Sequence, residues 1–195
     1  MVQTEDIRVF LRDKTTPHHI AVEDRLTYLA PVSTLSGYVL HLVIMRDFYQ
    51  SLIVSNRDPD IDISWSVTRT KILDSISTDL EKMNGENTGK YRRSTPAILS
   101  LENDEAWGAR YVVIGSSLGA HLLRKTVIAS LGPDIPADYL GYMTNNPDSG
   151  WKCFVETLRS QTLDAQSTVN GAIKTFDHLA EIIERHRGEH DTISS

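Results

Sequence analysis

Two stretches of the chain carry residues whose types and spacing could do chemistry. Gly115-x-Ser117-x-Gly119 has the spacing of a serine-hydrolase nucleophile elbow, in which a strand turns sharply into a helix and exposes the serine. Tyr111–Ile114 could supply the strand and Leu118–Ser130 the helix. Asp134, Asp138, Asp148 and Asp164, then His178, His186 and His190, follow in hydrolase order. Such a sheet needs several earlier strands and a glycine-rich oxyanion segment, neither of which is visible upstream. The second stretch is His18-His19-x-x-x-Glu23. His19 and Glu23 are four residues apart, so on a helix they share a face. A carboxylate on one imidazole nitrogen fixes the tautomer and leaves the other nitrogen free for a metal.

Weaker signals fall away. Asp58, Asp60 and Asp62 open like a calcium loop, but Ile63 stands where glycine is required and Arg69 where the terminal glutamate belongs; they are expected in a solvated loop. Gly85–Lys90 has too few residues between its glycines for a phosphate loop, and Tyr91 follows the lysine. Lys90, Arg92 and Arg93 read as a solvated basic loop. The single cysteine, Cys153, excludes an intrachain disulfide and a cysteine metal cluster.

The elements that must position these residues are helical. Leu35, Tyr38, Leu42, Met45, Tyr49 and Leu52 recur at steps of three and four, predicting a helix capped by Ser33 or Thr34 and ended at Asn56–Pro59. Ile72, Ile76, Leu80 and Met83 mark a second, from about Ser66. Trp151, Phe154, Val155 and Leu158 mark a third; Ala172, Phe176, Leu179 and Ile183 mark a fourth, over about Asp164–Arg187. Near the start, Thr16 is expected to cap a helix with Pro17 at its first position, bent away from a preceding turn at Ile7–Leu11. If residues 115–119 are also helical, Gly115 and Gly119 lie about 40° apart. They would leave one helix face without side chains, at about 1 kcal/mol each in helix propensity. A glycine-bent helix over a planar ligand, facing a helix with a ligating histidine, is the geometry of a haem pocket.

Two patterns then resemble the heme oxygenases. Leu11-Arg12-x-x-Thr15-x-x-x-His19-x-x-x-Glu23 resembles the family's first helix, and Tyr111-Val112-x-x-Gly115-Ser116-x-Leu118-Gly119-Ala120 resembles the distal helix of its bacterial members. Leu131-Gly132-Pro133 through Tyr142, then Trp151-x-x-Phe154, is similar to the segment that follows. Ser116 stands where mammalian-type members carry aspartate, and Ala120 replaces a second glycine.

The resemblance implies an all-α single domain over residues 1–187, with a frayed polar tail at 188–195 and haem held between a proximal and a glycine-bent distal helix. It implies that haem is both cofactor and substrate, cleaved to biliverdin, carbon monoxide and ferrous iron. His19 would be the iron ligand, with Glu23 beside it. Arg12 and Tyr111 would contact propionates, and Gly115, Ser116, Gly119 and Ala120 would form the distal wall. Electrons would come from a ferredoxin or a flavin reductase, and the biliverdin could feed a phytochrome. His18 is the next candidate ligand; His121 is expected to face away. The alternatives are a serine hydrolase at Ser117 and a non-catalytic haem-binding helical protein.

Composition agrees with a globular chain. Of 195 residues, 40% are hydrophobic and 24% charged, with a net charge of -6, which gives nucleic acid no basic field to bind. The polar start is unlike a signal peptide. The apolar stretch Tyr38–Met45, interrupted by His41, is too short for a membrane span. A cytoplasmic protein is the expectation.

Overall fold

The computed structural model describes residues 6–56, 58–83, 96–145 and 150–193. They are mostly helical, as expected. Helix α1 runs Ile7–Leu29, α2 Leu35–Ser51, α3 Pro59–Lys82, α4 Asn103–Gly115, α5 Ser117–Leu131, α6 Asp138–Asn145, α7 Trp151–Ser160 and α8 Ala165–Ile193. Two short strands, β1 (Leu52–Ser55) and β2 (Leu99–Glu102), pair in parallel with Leu52 opposite Leu99.

Several expectations need correction. The first helix does not begin at Thr16. Asp6 caps it, accepting the Arg8 N–H at 3.0 Å, and it continues through Pro17. The proline removes one helix hydrogen bond, while the Thr16 hydroxyl turns back onto the Arg12 carbonyl at 2.7 Å. The second helix stops at Ser51, and Leu52 begins a strand. Four residues are too few to show a period of two in the sequence, and β2 lies far downstream. Asp58, Asp60 and Asp62 are not a loop: Asp58 caps α3 by accepting the Asp60 N–H, with Pro59 in the first turn. Asp60 and Asp62 sit at the positive end of the helix dipole. Residues 188–193 continue α8 rather than leaving it at Arg187. The glycine-rich and basic segment 84–95 lies outside the described residues.

Helix α2 is the central element, buried on nearly every side from Gly37 to Met45 and again at Asp47–Tyr49. Helix α8 packs along both α1 and α4. Its seam with α4 is built from glycines. A Cβ on Gly108 would stand 2.0 Å from the Thr168 carbonyl oxygen, and one on Gly171 would stand 2.1 Å from that of Glu105. Ala109 and Ala172 are fully buried. The two backbones therefore touch, and no side chain fits between them.

Two buried polar contacts fix α8 against α2. His186 Nε2 lies 3.0 Å from Asp47 Oδ2, and His178 Nε2 lies 2.8 Å from Ser51 Oγ. On the other flank, Asp79 of α3 accepts the backbone N–H groups of Asp138 and Tyr139 at 2.7 and 2.9 Å. That carboxylate is the N-terminal anchor of α6.

The seam makes a prediction. Gly171→Ala should lower unfolding stability by about 2 kcal/mol, because a methyl group must push two backbones apart. Gly188→Ala, in the same helix with nothing within 4 Å of the added Cβ, should be neutral or slightly stabilising. Urea denaturation of both variants checks the contrast.

Candidate functional site

One stripe of α1 faces inward: Arg8, Arg12, Thr15, Thr16, His19, Val22, Glu23 and Leu26. Steps of three and four keep these residues on one face for about 27 Å. Opposite them lie the end of α4 and the start of α5. His41, Met45, Phe48 and Tyr49 of α2, and Tyr139, Leu140 and Met143 of α6, complete the walls. Together they enclose a cavity of about 620 Å³, within the range of pockets that bury a small organic ligand. Every predicted site residue lines it: Arg12, His19, Glu23, Tyr111, Gly115, Ser116, Gly119 and Ala120.

His19 presents its ring to the cavity. Nδ1 lies 3.4 Å from Glu23 Oε2, longer than an ordinary hydrogen bond but close enough to orient the ring. Phe176 of α8 meets it edge-on, with centroids 5.8 Å apart. Nε2 has no partner among the described residues. His18 is on another face: its Nδ1 contacts Asp177 at 2.9 Å, and it does not line the cavity. Among the described residues no group of three or more His, Cys, Asp or Glu side chains could hold a metal ion.

The opposing wall breaks at a single residue. Gly115 ends α4, Ser117 begins α5, and Ser116 between them has φ -62° and ψ -22°. No left-handed backbone is needed: Gly132, which ends α5, is the glycine with positive φ among the described residues. A Cβ on Gly119 would meet nothing within 4 Å, whereas one on Gly115 would lie 3.4 Å from the Trp151 ring. Gly119 thus opens free volume in the cavity, and Gly115 admits Trp151.

Ser117 is not a nucleophile elbow. Residues 103–115 are helix rather than strand, and the Ser117 hydroxyl donates to the Ile114 carbonyl at 2.6 Å. The candidate partners His178 and His186 are engaged with α2. Ser117 does not line the cavity, and His121 is exposed outside it. Residues 103–131 are apolar and long enough to cross a membrane by length and composition alone. They are two helices here, and α4 is buried against α8.

The cavity holds polar groups of several kinds. Toward the start of α1 stand Arg8, Arg12 and Tyr111. Arg12 pairs with the neighbouring Asp13 at 2.9 Å, and Arg8 Nε is buried without a hydrogen-bond partner. Tyr111 packs on Trp151 with ring centroids 5.5 Å apart. Tyr49 packs against Tyr139 with ring centroids 6.4 Å apart, and both line the cavity with Ser116. The Ser116 hydroxyl donates to the Val113 carbonyl at 2.7 Å. Burial pushes the Tyr49 and Tyr139 phenols above their ordinary range and keeps them protonated.

His41 and Arg8 are site residues that the sequence patterns did not single out. His41 is 5% exposed, and burial holds its pKa down at about 4. Its signal was a lone histidine on an apolar helix, four residues before the cavity-lining Met45. Arg8 gave no signal beyond its place one turn before Arg12. No family model matches the chain, and no curated protein matches it.

The burial of His41 has a measurable consequence. An unfolded histidine takes a proton near pH 6.5, whereas folded His41 does so only near 4. Its contribution is complete above pH 6.5 and is lost as pH falls toward 4, amounting to roughly 3 kcal/mol. Urea unfolding across that window should show wild type losing stability more steeply than His41→Leu, by about that difference.

Proposed function

We propose that this protein is a heme oxygenase, cleaving haem to biliverdin, carbon monoxide and ferrous iron with O₂ and electrons from an external donor. The observation that carries the reading is the cavity itself. One free imidazole nitrogen, from His19, meets a wall that Gly119 leaves without side-chain bulk, and Arg8, whose buried Nε has no hydrogen-bond partner, lines the same cavity.

The residues fit the substrate. His19 Nε2 would ligate the iron, with Glu23 and Phe176 holding the ring. Arg8, Arg12 and Tyr111 would receive the propionates; charge-assisted hydrogen bonds of this kind are the stronger ones. The flat face at Gly119 and Ala120 would lie against the macrocycle. Haem supplies the redox chemistry when bound, and the protein supplies orientation and protons.

Neutral hydroxyls would order the water that brings protons to the ligand. Tyr49, Tyr139 and Ser116 form neutral hydroxyls next to the glycine wall. Ser116 takes the place of an ionisable carboxylate, so it can orient water but cannot itself hold a proton store. Val112, Val113 and Met143 are buried walls of the same cavity, onto which the exposed Ser116 opens. The electron donor, a ferredoxin or a flavin reductase, and a phytochrome as recipient of biliverdin, belong to the same proposal.

Two variants test the reading. Wild type titrated with hemin should give a Soret band characteristic of imidazole ligation, then the biliverdin spectrum when ascorbate is added in air. His19→Ala should lose the ligation spectrum and at least about 100-fold in turnover. Gly119→Ala should fold, bind hemin and lose most biliverdin formation, because its methyl group enters the volume against the haem. Full turnover in His19→Ala, with an unchanged ferric spectrum, rejects the assignment. Unchanged yield in Gly119→Ala reassigns that glycine to helix packing.

A further inference from the structure

His41 is a polar group that the roles of His19 and of the hydroxyls leave unused. It lines the cavity and is buried, yet its ring has no hydrogen-bond partner among the described residues. Its nitrogens are also absent from the polar atoms sealed by packing, so they open on the cavity. Leaving a buried imidazole unsatisfied carries a desolvation cost.

The position of His41 follows from connectivity. α1 ends at Leu29 and α2 begins at Leu35, so the start of α2 and the end of α1 lie at the same end of the cavity. Leu26 is about 21 Å along α1 from Arg12, and His41 is about 12 Å along α2 from Tyr49. Arg8 and Arg12 thus stand in the first turns of α1, whereas His41 stands in the first turns of α2, the helix that follows the far end of α1. Val22, Leu26, Leu140 and Met143, which also line the cavity, offer its ring no polar group.

A haem whose propionates lie on the arginines presents carbon substituents and a meso bridge at the opposite edge. None of these can bond to an imidazole. Opening that bridge creates two lactams there, each with one carbonyl acceptor and one N–H donor. A neutral imidazole has one N–H donor, which can bond a lactam carbonyl at that edge.

We propose that His41 forms a subsite for the lactam edge of a linear tetrapyrrole, so that the cavity recognises the opened product more strongly than its buried apolar walls alone would allow. The proposal rests on the haem-cleaving reading for the orientation of the ligand, but it concerns equilibrium binding and needs no turnover.

The experiment titrates biliverdin IXα and hemin separately into ligand-free wild type, His41→Leu and His41→Gln. His41→Leu should weaken biliverdin about fivefold, the worth of one neutral hydrogen bond, and change hemin affinity less than twofold. His41→Gln retains a donor and an acceptor and should recover most of the loss. His41→Leu should also melt at or above wild type, since it removes an unsatisfied buried group. Equal loss for both ligands, no loss for biliverdin (as when His41 binds only a water), or a lowered melting temperature would each overturn the subsite. A wild type that binds biliverdin in a His41-dependent way but not hemin would reject the oxygenase reading and keep the bilin subsite.

Discussion

The contact on which the rest depends is the crossing of α4 and α8 at Gly108 and Gly171. Backbone lies against backbone there, which fixes the separation of the two helices more tightly than interdigitated side chains would. α4 leads directly into the glycine wall, and α8 carries Phe176 onto the His19 ring. The seam therefore sets where one face of the cavity begins and how the ring on the other face is held. Dispersion and burial stabilise the surrounding core, but the glycines decide its spacing.

Beside that seam the cavity collects polar groups of several kinds. Cationic arginines, phenols, a serine hydroxyl and a buried neutral imidazole all line it. Low dielectric gives each unpartnered group weight. A buried Arg8 Nε and an unpaired His41 are poor choices for stability alone. They make physical sense together if a ligand with a charged edge and a polar edge completes both.

Much of this was legible in the sequence, and the failures have physical causes. The stripe Arg12–His19–Glu23 lies within one helix, where periodicity carries the information, and Gly115 and Gly119 flank the junction of α4 and α5, where the backbone stays helical; all of them line the cavity. Pro17 misled because a proline is usual at a helix start, whereas α1 tolerates it in the interior. The β1–β2 pair escaped because strands of four residues with 43 positions between them leave no local pattern. The role of Asp79 escaped for the same reason: its partners, Asp138 and Tyr139, are distant in the chain. His41 looked like an interruption of an apolar helix. Only the arrangement of α1, α2 and α6 reveals that it opens on a cavity.

The junction at Ser116 has a mechanical side. α4 is fixed by the glycine seam, but α5 packs mainly on α6, and α6 is held by the Asp79 carboxylate of α3. The two halves of the cavity wall are thus anchored on different partners, while the backbone stays helical through Ser116, whose N–H bonds back to the Val112 carbonyl and whose own carbonyl accepts the Ala120 N–H. The wall inherits its placement from two sides of the molecule at once, the glycine seam and the α3 carboxylate.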